Sequence, residues 1–462
     1  MPHLALATCD FPTFPPSNFP TFPLATFPPA SNLRLSTSNS SLSPLRITLW
    51  GINYAPELTG IAPYNTMLAE WLAAQGHDVS VVSTFPYYPA WKKRAEDRGK
   101  FYRKEGVNGV TLYRVWHYVP EKVSAAKRMI HEASYVCLSW IRMLFLPRQD
   151  VVIVVSPPLP LGAAAWVYRL IRRTPYLFHV QDLQPDAAAG LGMLQEGKLI
   201  RALYKLEAFA YAKADRVSGI SEGMLEAYTR KGVPAEKQVL FPNPVDLPEA
   251  DALPQRGSFR AAQQIDSNTF LALYSGNLGV KQGLNQIIEA ATLLQDDPQI
   301  LFVICGDGAT RGDLEKMVKT RALQNVRFLP LQPKENYHEM LADTDLALVT
   351  QQAGSGAAFF PSKLLTLLAH GRPVLAVADP DSVVTQTLQK NECGLVVPPS
   401  SPELFARSVK TARSEPEHLR NLSKNGRRYI SQFETEKVFR KFEREIQSMV
   451  EPSLYNEKGI VH

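Results

Sequence analysis

Short apolar runs and amphipathic runs alternate along most of this chain. The first apolar run, ITLWGI, follows Arg46, and the amphipathic run TMLAEWLAAQG, which ends at Gly76, separates it from HDVSVVST. Apolar runs bounded by turn residues predict buried strands, whereas apolar positions recurring every three to four residues predict helices. A strand, a helix and a strand within about forty residues form a parallel βαβ unit.

The same alternation fills both halves of the chain. Further predicted strands are TLYRVWHYVP, DVVIVVSPP, YLFHVQD and DRVSGIS, then FLALYSGN, ILFVICGDG, NVRFLP, DLALVTQ and GLVVPP. The polar, proline-bearing run EADALPQRGS between the halves is typical of a linker. The pattern predicts an α/β protein with two Rossmann-like domains facing a cleft, each built on a parallel sheet that is buried on both faces.

The predicted first domain covers residues 45–248, the linker residues 249–256 and the second domain residues 257–433. Residues 434–462 form a charged helix and a tail. The apolar positions of this helix roughly follow helical spacing and leave one stripe that needs a partner. These positions are Phe433, Val438, Phe442, Ile446 and Val450.

Residues 1–44 follow neither pattern. They repeat Phe-Pro steps and then become rich in Ser and Asn, and the prolines rule out a helix. The stretch lacks the basic start and continuous apolar core of a secretory signal, and it has too few arginines to favour a transit peptide. We expect a disordered tail, or a stretch upstream of the true start, whose removal leaves melting temperature and turnover unchanged.

The charge of the chain is mild. Its 50 Lys and Arg residues exceed its 44 Asp and Glu residues, for a net charge of +6. This balance favours anionic partners such as nucleotides or lipid head groups and does not indicate a nucleic-acid-binding protein. The 4 cysteines form no CxxC pair, so no disulfide framework or zinc site is indicated and a cytoplasmic location fits. No apolar run reaches the roughly 18 residues of a spanning helix.

Residues 359–377, FFPSKLLTLLAHGRPVLAV, predict a loop, a short buried helix, a tight turn and a buried strand. Pro361 suits the first turn of the helix, and Gly371 suits its end. Ser362 and Lys363 then lie at the positive end of the helix dipole, where unpaired N–H groups and an ammonium suit a phosphate. The alternative is an ordinary buried helix with a solvated lysine. We expect the Lys363 head group to be exposed.

Loops with candidate ligand groups follow three predicted strands of the second domain. Gly276 lies in the turn SGNLGVKQG together with Lys281, and Gly306 and Gly308 lie in CGDG. Glycines let the backbone approach a diphosphate closely. The run FLPL around Leu329 offers backbone groups to the edge of a base. Because the carboxyl ends of parallel strands share one edge of a sheet, we expect these loops to converge.

Three loops are expected to converge likewise in the first domain, namely ELTG at residues 57–60, SPP at residues 156–158 and HVQD at residues 179–182. His179 and Asp182 lie beside an acidic loop and are candidates for handling protons. The alternative for His179 is a core histidine. The loop FPYYPAWK either forms a stiff cover over a site or packs on the surface.

The predicted helix at residues 124–146 is both apolar and basic. Its apolar residues are Met129, Ile130, Ala133, Val136, Cys137, Trp140, Ile141 and Leu144, and the bases around them are Lys122, Lys127, Arg128 and Arg142. Such a helix suits the surface of an anionic membrane. A core helix whose basic side chains extend to solvent is the alternative.

The ordered motifs resemble those of glycosyltransferase family 4, whose members have the two-domain GT-B fold. The motifs are GINYAPELTG, LAEWLAAQGHDVSVVST, PYYP, HVQDLQPD, FPNPVD, YSGNLGVKQGL, GDG, NVRFLPLQP and PSKLLTLLAHGRPVLA. The resemblance covers residues 46–450 and is greatest to the WcaI-like and WbuB-like branch for colanic acid and capsules. It implies that the C-terminal helix crosses back to the first domain.

The resemblance also implies a retaining transfer of a sugar from a nucleotide diphosphate sugar to a lipid-linked or saccharide acceptor, without a metal or other cofactor. The protein would build a surface polysaccharide, in the cytoplasm or at the inner face of the plasma membrane. Lys363 and Lys281 would stabilise the departing diphosphate. The residues implied in substrate binding are Glu57, Thr59, Gly60, Gly276, Asn277, Gly306, Gly308, Leu329, Pro361, Ser362 and Thr366.

The chain departs from most of the family at several site positions. Two glutamates are replaced by Ala358 and Thr366, and an Arg and a Lys of the phosphate loop by Asn277 and Gln282. The usual acceptor-domain histidine is replaced within SPP. The branch with the PSK motif shares the changes in the donor half, so the two lysines named above must supply the charge that binds the phosphates.

Two other functions fit the same fold. A nucleotide-sugar epimerase would use carboxylates as acid and base, and it would leave the PYYP loop and the basic helix without an acceptor to serve. A catalytically inactive scaffold at a membrane would explain the missing glutamate pair. A donor-hydrolysis assay separates the scaffold from the enzymes, because the scaffold turns over no nucleotide sugar.

Overall fold

The computed structural model describes residues 43–57, 60–88, 90–121, 124–186, 197–248, 254–354 and 362–450. Most of the predicted tail therefore lies outside the described residues, as do Thr59, Ala358 and Pro361 and the side chain of Ser362. The chain divides into two compact units. The first holds Met1–Asn243 and Val438–His462, and the second holds Pro244–Lys437.

The sheet of the first unit has 8 strands. They are β1 (Arg46–Trp50), β2 (Asp78–Thr84), β3 (Tyr102–Val107), β4 (Val110–Val115), β5 (Val151–Ser156), β6 (Tyr176–Val180), β7 (Arg216–Gly219) and β8 (Gln238–Leu240). Their order is β3-β4-β2-β1-β5-β6-β7-β8, and all pairs are parallel except the β3–β4 hairpin. The sequence pattern missed β3, because its residues YRKEGV lie on an edge strand and are mostly polar.

The helices of the first unit are α1 (Ala62–Ala74), α2 (Ala125–Leu144), α3 (Leu161–Arg172), α4 (Lys198–Lys213) and α5 (Glu222–Arg230). Ser124 caps α2, since its hydroxyl accepts a hydrogen bond from the backbone N–H of Lys127. Cores on the two faces of the sheet join the strands to these helices, which is the buried parallel arrangement that the apolar runs predict.

The helix α2 turns only part of its predicted apolar stripe to the core, since Val136, Trp140 and Leu144 pack against it. Met129, Ile130 and Ile141 are 50%, 56% and 47% exposed, so the core-helix alternative is wrong for these three. The buried face also carries polar groups, and two of them form hydrogen bonds to strands of the sheet. Trp50 Nε1 donates to Ser139 Oγ at 2.8 Å, and the Tyr135 hydroxyl donates to a backbone carbonyl of β2 at 2.9 Å.

The sheet of the second unit has 6 strands. They are β9 (Phe270–Ser275), β10 (Ile300–Cys305), β11 (Val326–Leu329), β12 (Leu346–Thr350), β13 (Val374–Val377) and β14 (Leu395–Val397). Their order is β11-β10-β9-β12-β13-β14, and every pair is parallel. The order reverses between β9 and β12, and ligands bind at the carboxyl edge of such a switch point.

The helices of the second unit are α6 (Ser258–Ala262), α7 (Asn285–Leu293), α8 (Arg311–Thr320), α9 (Lys334–Asp343), α10 (Ser362–Ala369), α11 (Val383–Lys390), α12 (Pro402–Ser414) and α13 (Pro416–Ile430). The helices α12 and α13 were not predicted from the sequence. Both start with proline and interleave charged, polar and apolar residues, so they give no continuous apolar run.

The last helix, α14 (Thr435–Val450), begins in the second unit and continues in the first. Val438, Phe439, Phe442 and Ile446 join the core on one face of the first sheet, and the Phe442 ring stacks on Phe241 at a centroid distance of 3.7 Å. The predicted crossing of this helix to the first domain is confirmed. Of the predicted stripe, Val450 also packs against this core, whereas Phe433 precedes the helix and packs against a core of the second unit.

The chain passes from the first unit to the second between Asn243 and Pro244. Residues 244–248, which the sequence analysis placed in the first domain, are held by the second unit. Val245 N donates to Phe433 O at 2.8 Å, and Val245 also forms a parallel bridge with Glu434. Part of the predicted linker, residues 249–253, lies outside the described residues.

Candidate active site

The turns after β9 and β10 lie against each other at the carboxyl edge of the second sheet. Gly276 and Gly306 have φ angles of 145° and 147°. A Cβ added at Gly306 would lie 1.9 Å from the Gly276 carbonyl oxygen, and one at Gly308 would lie 2.6 Å from the carbonyl oxygen of Leu278. Only glycine fits such an approach, and the loops converge as their strand ends predict.

Lys363 reaches this edge from the second position of α10. Its Nζ donates to the hydroxyl of Tyr274 at 2.7 Å and lies 4.0 Å from the centroid of the same ring. A Cβ built at Gly276 would lie 3.6 Å from this nitrogen. The expectation of an exposed head group is therefore wrong, since Lys363 is partly buried against Tyr274.

The environment of Lys363 disfavours its charge. Burial lowers the pKa of the amine to about 7, with no neighbouring charge adding to or opposing this effect. A hydrogen bond to a phenol and a ring face favour an ammonium only weakly compared with a carboxylate. Near neutral pH the amine therefore titrates, and an anion placed beside it would restore its full charge.

The other residues predicted to bind the donor lie around the same loops. Asn277 and Lys281 are exposed in the turn after β9, and Thr366 is partly buried one turn after Lys363 on α10. The buried Leu329 ends β11, and its carbonyl oxygen accepts from Gly306 N at 3.0 Å. Pro361 and the Ser362 side chain belong to the part that is not described.

Arg311 is a cation at this edge that the sequence analysis missed. Its Nη1 donates to the carbonyl oxygens of Gly306 and Leu329 at 2.5 and 3.3 Å, and its Nε pairs with Glu315 at 2.8 Å. The guanidinium thereby ties the CGDG turn to β11. The available signal was an arginine at the start of a helix directly after a glycine turn. In the part of the chain that is described, no cluster of at least three His, Cys, Asp or Glu side chains is arranged to hold a metal ion.

Glu57 is buried and holds two loops of the first unit together. Its Oε1 accepts from the backbone N–H groups of Tyr87 and Tyr88 at 2.8 and 2.9 Å, and its Oε2 accepts from Asn53 Nδ2 at 2.8 Å. Burial raises the pKa of this carboxyl. Because both oxygens have internal partners, the predicted acceptor contact now depends on Gly60, which is exposed, and on Thr59, which lies outside the described residues.

His179 lies in the core of the first unit. Its ring nitrogens lie 2.8 Å from Ser218 Oγ and 2.8 Å from Gln181 Nε2, and burial lowers its pKa to about 3. This placement favours the core-histidine alternative over a role in proton transfer. Asp182 is exposed. Asp186, on the acidic loop, pairs with Lys231.

The PYYP loop covers a pair of histidines that the sequence analysis did not identify. The Tyr87 ring lies 4.9 Å from the His117 ring and 4.7 Å from the His131 ring, and the two histidine rings are 5.1 Å apart. Neither ring nitrogen of His117 has a hydrogen-bond partner among the described residues. Burial lowers the pKa of both histidines. The loop therefore packs on neutral rings.

Two family models match the chain. The model named Glycosyl transferase 4-like domain matches residues 59–244, and Glycosyl transferases group 1 matches residues 255–429. The protein named "Putative colanic acid biosynthesis glycosyl transferase WcaI" of Escherichia coli (strain K12) is 34% identical over 383 residues, which are 81% of this chain and 93% of WcaI. An identity of this size over nearly the whole relative shows a common family.

Solved structures share the fold. Sucrose-phosphate synthase from Thermosynechococcus elongatus matches with a TM-score of 0.68 and 19% identity, covering 88% of this chain and 99% of its own. HepE of Anabaena in complex with UDP matches with a TM-score of 0.62 and 15% identity, covering 87% and 100%. These likenesses show the fold alone. With the family matches, they establish that the chain belongs to glycosyltransferase family 4 and is a WcaI-like glycosyltransferase with the GT-B fold.

Proposed function

We propose that this glycosyltransferase moves a sugar, with retention, from a nucleotide diphosphate sugar to a lipid-linked or saccharide acceptor in the synthesis of a surface polysaccharide. The observation that carries the proposal is the position of Lys363, whose amine lies beside the Gly276 turn and hydrogen-bonds to a neutral phenol. The assignment of WcaI to colanic acid biosynthesis and the UDP bound to HepE support it.

The carboxyl edge of the second sheet suits a diphosphate. Gly276, Gly306 and Gly308 let the backbones at the ends of β9 and β10 lie in direct contact, and α10 begins beside them at Ser362. The first backbone N–H groups of a helix have no partner within the helix, and its dipole favours an anion there. With Lys363 and the exposed Lys281, these groups replace the phosphate-loop bases that most of the family carries.

Transfer breaks the bond between the anomeric carbon and the diphosphate oxygen. The diphosphate gains negative charge as this bond breaks, so an ammonium held against it binds the transition state more tightly than the ground state. Retention requires the acceptor oxygen to bond to the face of the anomeric carbon that the diphosphate leaves, and the proton of the acceptor hydroxyl goes to the departing diphosphate. No metal or other cofactor is part of this proposal.

A lipid-linked acceptor would agree with the surface of the first unit. Large apolar side chains are exposed on the neighbouring helices α2 and α3, namely Met129, Ile130, Ile141, Val167, Leu170 and Ile171. The exposed bases Lys127, Arg128 and Arg173 lie on or next to the same helices, and a basic, apolar surface binds anionic lipids. Among the described helices none has both the length and the apolar character to cross a bilayer. We propose a peripheral contact at the inner face of the plasma membrane.

The test is a two-step assay of the full chain. Thermal stabilisation by a panel of nucleotide sugars first identifies the donor, and transfer to lipid-linked acceptors in vesicles or to soluble saccharides is then followed by release of the nucleoside diphosphate. We expect a product whose anomeric configuration, read by NMR, matches that of the donor. An inverted product would refute retention, an altered nucleotide sugar without transfer would show an epimerase, and no turnover with any donor would show a scaffold.

A further inference from the structure

Tyr274 lies between Lys363 and the turn after β9. It is fully buried near the end of that strand, and its hydroxyl accepts from Lys363 Nζ at 2.7 Å and donates to the Asn277 carbonyl oxygen at 2.8 Å. A phenol has one proton, which is used on this carbonyl. The lone pairs of the oxygen therefore remain for the amine.

The phenol also restricts where the amine can be. A lysine side chain has four rotatable bonds and samples many positions when it is free. Here the nitrogen has two contacts with one residue, the hydroxyl and the ring face 4.0 Å away. Tyr274 itself is fixed, because its strand pairs with β10 and its hydroxyl is bonded to the turn.

We propose that Tyr274 is the positioning residue of the donor site, holding Lys363 Nζ where a diphosphate seated against the Gly276 turn meets it. An ammonium has three N–H donors. One stays on Tyr274, and two remain for phosphate oxygens. The inference rests on the proposed function, because it takes the ligand to be the diphosphate of a nucleotide sugar.

The same contact influences the protonation of the amine. With a pKa of about 7, roughly half of the Lys363 amines are neutral at pH 7, and a neutral amine binds a diphosphate weakly. A hydrogen bond from the amine to an oxygen lone pair favours the ammonium. Removing the hydroxyl should therefore lower the pKa of Lys363 further and weaken binding of the diphosphate at the same pH.

The experiment compares wild type, Tyr274→Phe, Lys363→Ala and the double variant. The lysine titration is read by NMR on protein labelled with ¹³C-lysine, and the Lys363 signal is the one that Lys363→Ala lacks. We expect Tyr274→Phe to lower the pKa of Lys363 by at least about one pH unit. Calorimetry at pH 7.5 uses UDP, GDP or ADP, whichever the wild type binds, and should show a roughly tenfold loss of affinity.

The double variant separates positioning from packing. If Tyr274 acts through the amine, its substitution should cost less than about twofold in affinity once Lys363 is alanine. Tyr228→Phe is the matched control, since Tyr228 is also fully buried and its hydroxyl donates to a backbone carbonyl at 3.1 Å in the first unit. Tyr228→Phe should lower the melting temperature about as much as Tyr274→Phe does, and it should leave the Lys363 titration and the nucleotide affinity unchanged.

The outcomes distinguish this inference from the proposed function. If Tyr274→Phe leaves the Lys363 titration and the nucleotide affinity unchanged, or if the two substitutions add, Tyr274 is a packing residue and the inference is overturned. The proposed function would then stand as long as Lys363→Ala weakens binding. If the wild type binds no nucleoside diphosphate, the proposed function fails, and the titration of the free protein still decides whether Tyr274 controls the amine.

Discussion

The strand-end edge of the second unit and the loops around Glu57 in the first unit hold ionisable groups with different kinds of partner. In the second unit, Lys363 hydrogen-bonds to a neutral phenol, and burial lowers its pKa to about 7. In the first unit, Glu57 uses both carboxylate oxygens on internal donors, and Lys231 pairs with both Asp186 and Glu207. A group with internal partners for its charge stabilises the fold, whereas a buried cation without a counter-charge at a strand end is suited to a ligand.

The hydrogen-bond partners in the structure also distinguish candidate site residues that the sequence alone does not rank. Glu57, His179 and Lys363 all follow predicted strands or begin helices at the ligand-binding edge of a sheet. In the structure, His179 and Glu57 are buried among their partners, and only Lys363 of these three keeps N–H groups available. Location at the edge is therefore a weaker criterion than the state of the hydrogen-bond partners.

The largest expected effect comes from adding a side chain where the two glycine turns of the second unit touch. In Gly306→Ala the new Cβ would lie 1.9 Å from the Gly276 carbonyl oxygen, at a φ of 147° that alanine rarely adopts. We expect a loss of about 3 kcal/mol or more in unfolding free energy, measured in urea, and loss of nucleotide binding. Gly312→Ala is the control, because a Cβ there meets nothing within 4 Å. Normal nucleotide binding by Gly306→Ala would refute the assignment of these turns to the donor.

Removing the amine of Lys363 tests whether its positive charge stabilises the departing diphosphate. Lys363→Ala should lower turnover by on the order of a hundredfold or more, and more than it weakens donor binding, because the diphosphate gains charge in the transition state. Lys281→Ala should have a smaller effect, since Lys281 is exposed in its turn. Steady-state kinetics with the cognate donor measures both. Wild-type turnover in Lys363→Ala would reduce α10 to a core helix and remove the contrast between the units.

The sequence predicted the fold and the converging loops because both follow from strand order. Apolar runs of the lengths seen here specify parallel strands, and parallel strands place their carboxyl ends together. Lys363 was found because a lysine at the start of an apolar helix is unusual. A role for Tyr274 at the site was not predicted, since an aromatic residue in the run FLALYS is typical of any buried strand.

Hydrogen-bond partners across long loops were beyond the sequence pattern. The role of Glu57 depends on backbone N–H groups of Tyr87 and Tyr88, some thirty residues later in the chain. The inward face of α2 depends on Ser139 meeting the indole of Trp50 on β1. Such contacts follow from tertiary packing, and neither residue type nor spacing indicates them.

The pH dependence of nucleotide binding tests whether the Lys363 amine loses its proton near neutral pH in the free protein. The pKa of Lys363 is lowered from 10.5 to about 7 in the free protein, and a bound diphosphate should raise it again. Above pH 7, binding then takes up a proton, and affinity should fall by up to about tenfold per pH unit. The Lys363 amine has a pKa of 10.5 in the unfolded chain and about 7 in the folded protein, so the unfolded chain binds more protons between these values. Folding stability should therefore be lost as pH falls from 10.5 toward 7.

Calorimetry in buffers of different ionisation enthalpy measures this proton uptake directly. Lys363→Ala should abolish the uptake and flatten the affinity above pH 7, and Lys281→Ala should keep both. Equal proton uptake in wild type and Lys363→Ala would show that another group titrates and that the contrast with the first unit is misplaced.

The histidine pair under the PYYP loop should make the first unit sensitive to acid. Burial lowers the pKa of His117 and His131, and Lys93 opposes a charge on both. The unfolded chain binds these protons first, so stability should fall as pH drops below about 6.5, by up to about 1.4 kcal/mol per pH unit for each histidine. His117→Phe should flatten this slope in urea unfolding at pH 5 to 7, whereas the exposed His418→Gln should not. If unfolding free energy depends on pH in His117→Phe as it does in the wild type, protonation of the two histidines does not destabilise the fold.

The smallest expected effect concerns the surface of α2 in the first unit. Apolar and basic side chains of this helix are exposed, whereas the apolar residues of α14 pack in a core. Lys127→Glu should reduce binding to vesicles of anionic lipid, since each base near such a surface adds roughly 1 kcal/mol and reversal also adds repulsion. Ile130→Ser removes an apolar side chain that is 56% exposed, so it should weaken binding with little change in melting temperature. Lys316→Glu on α8 is the matched control, because Lys316 is exposed on a helix of the second unit. Vesicle flotation of the full chain measures all three. If Lys127→Glu and Ile130→Ser bind like the wild type, α2 is a surface helix of the fold that does not contact a membrane.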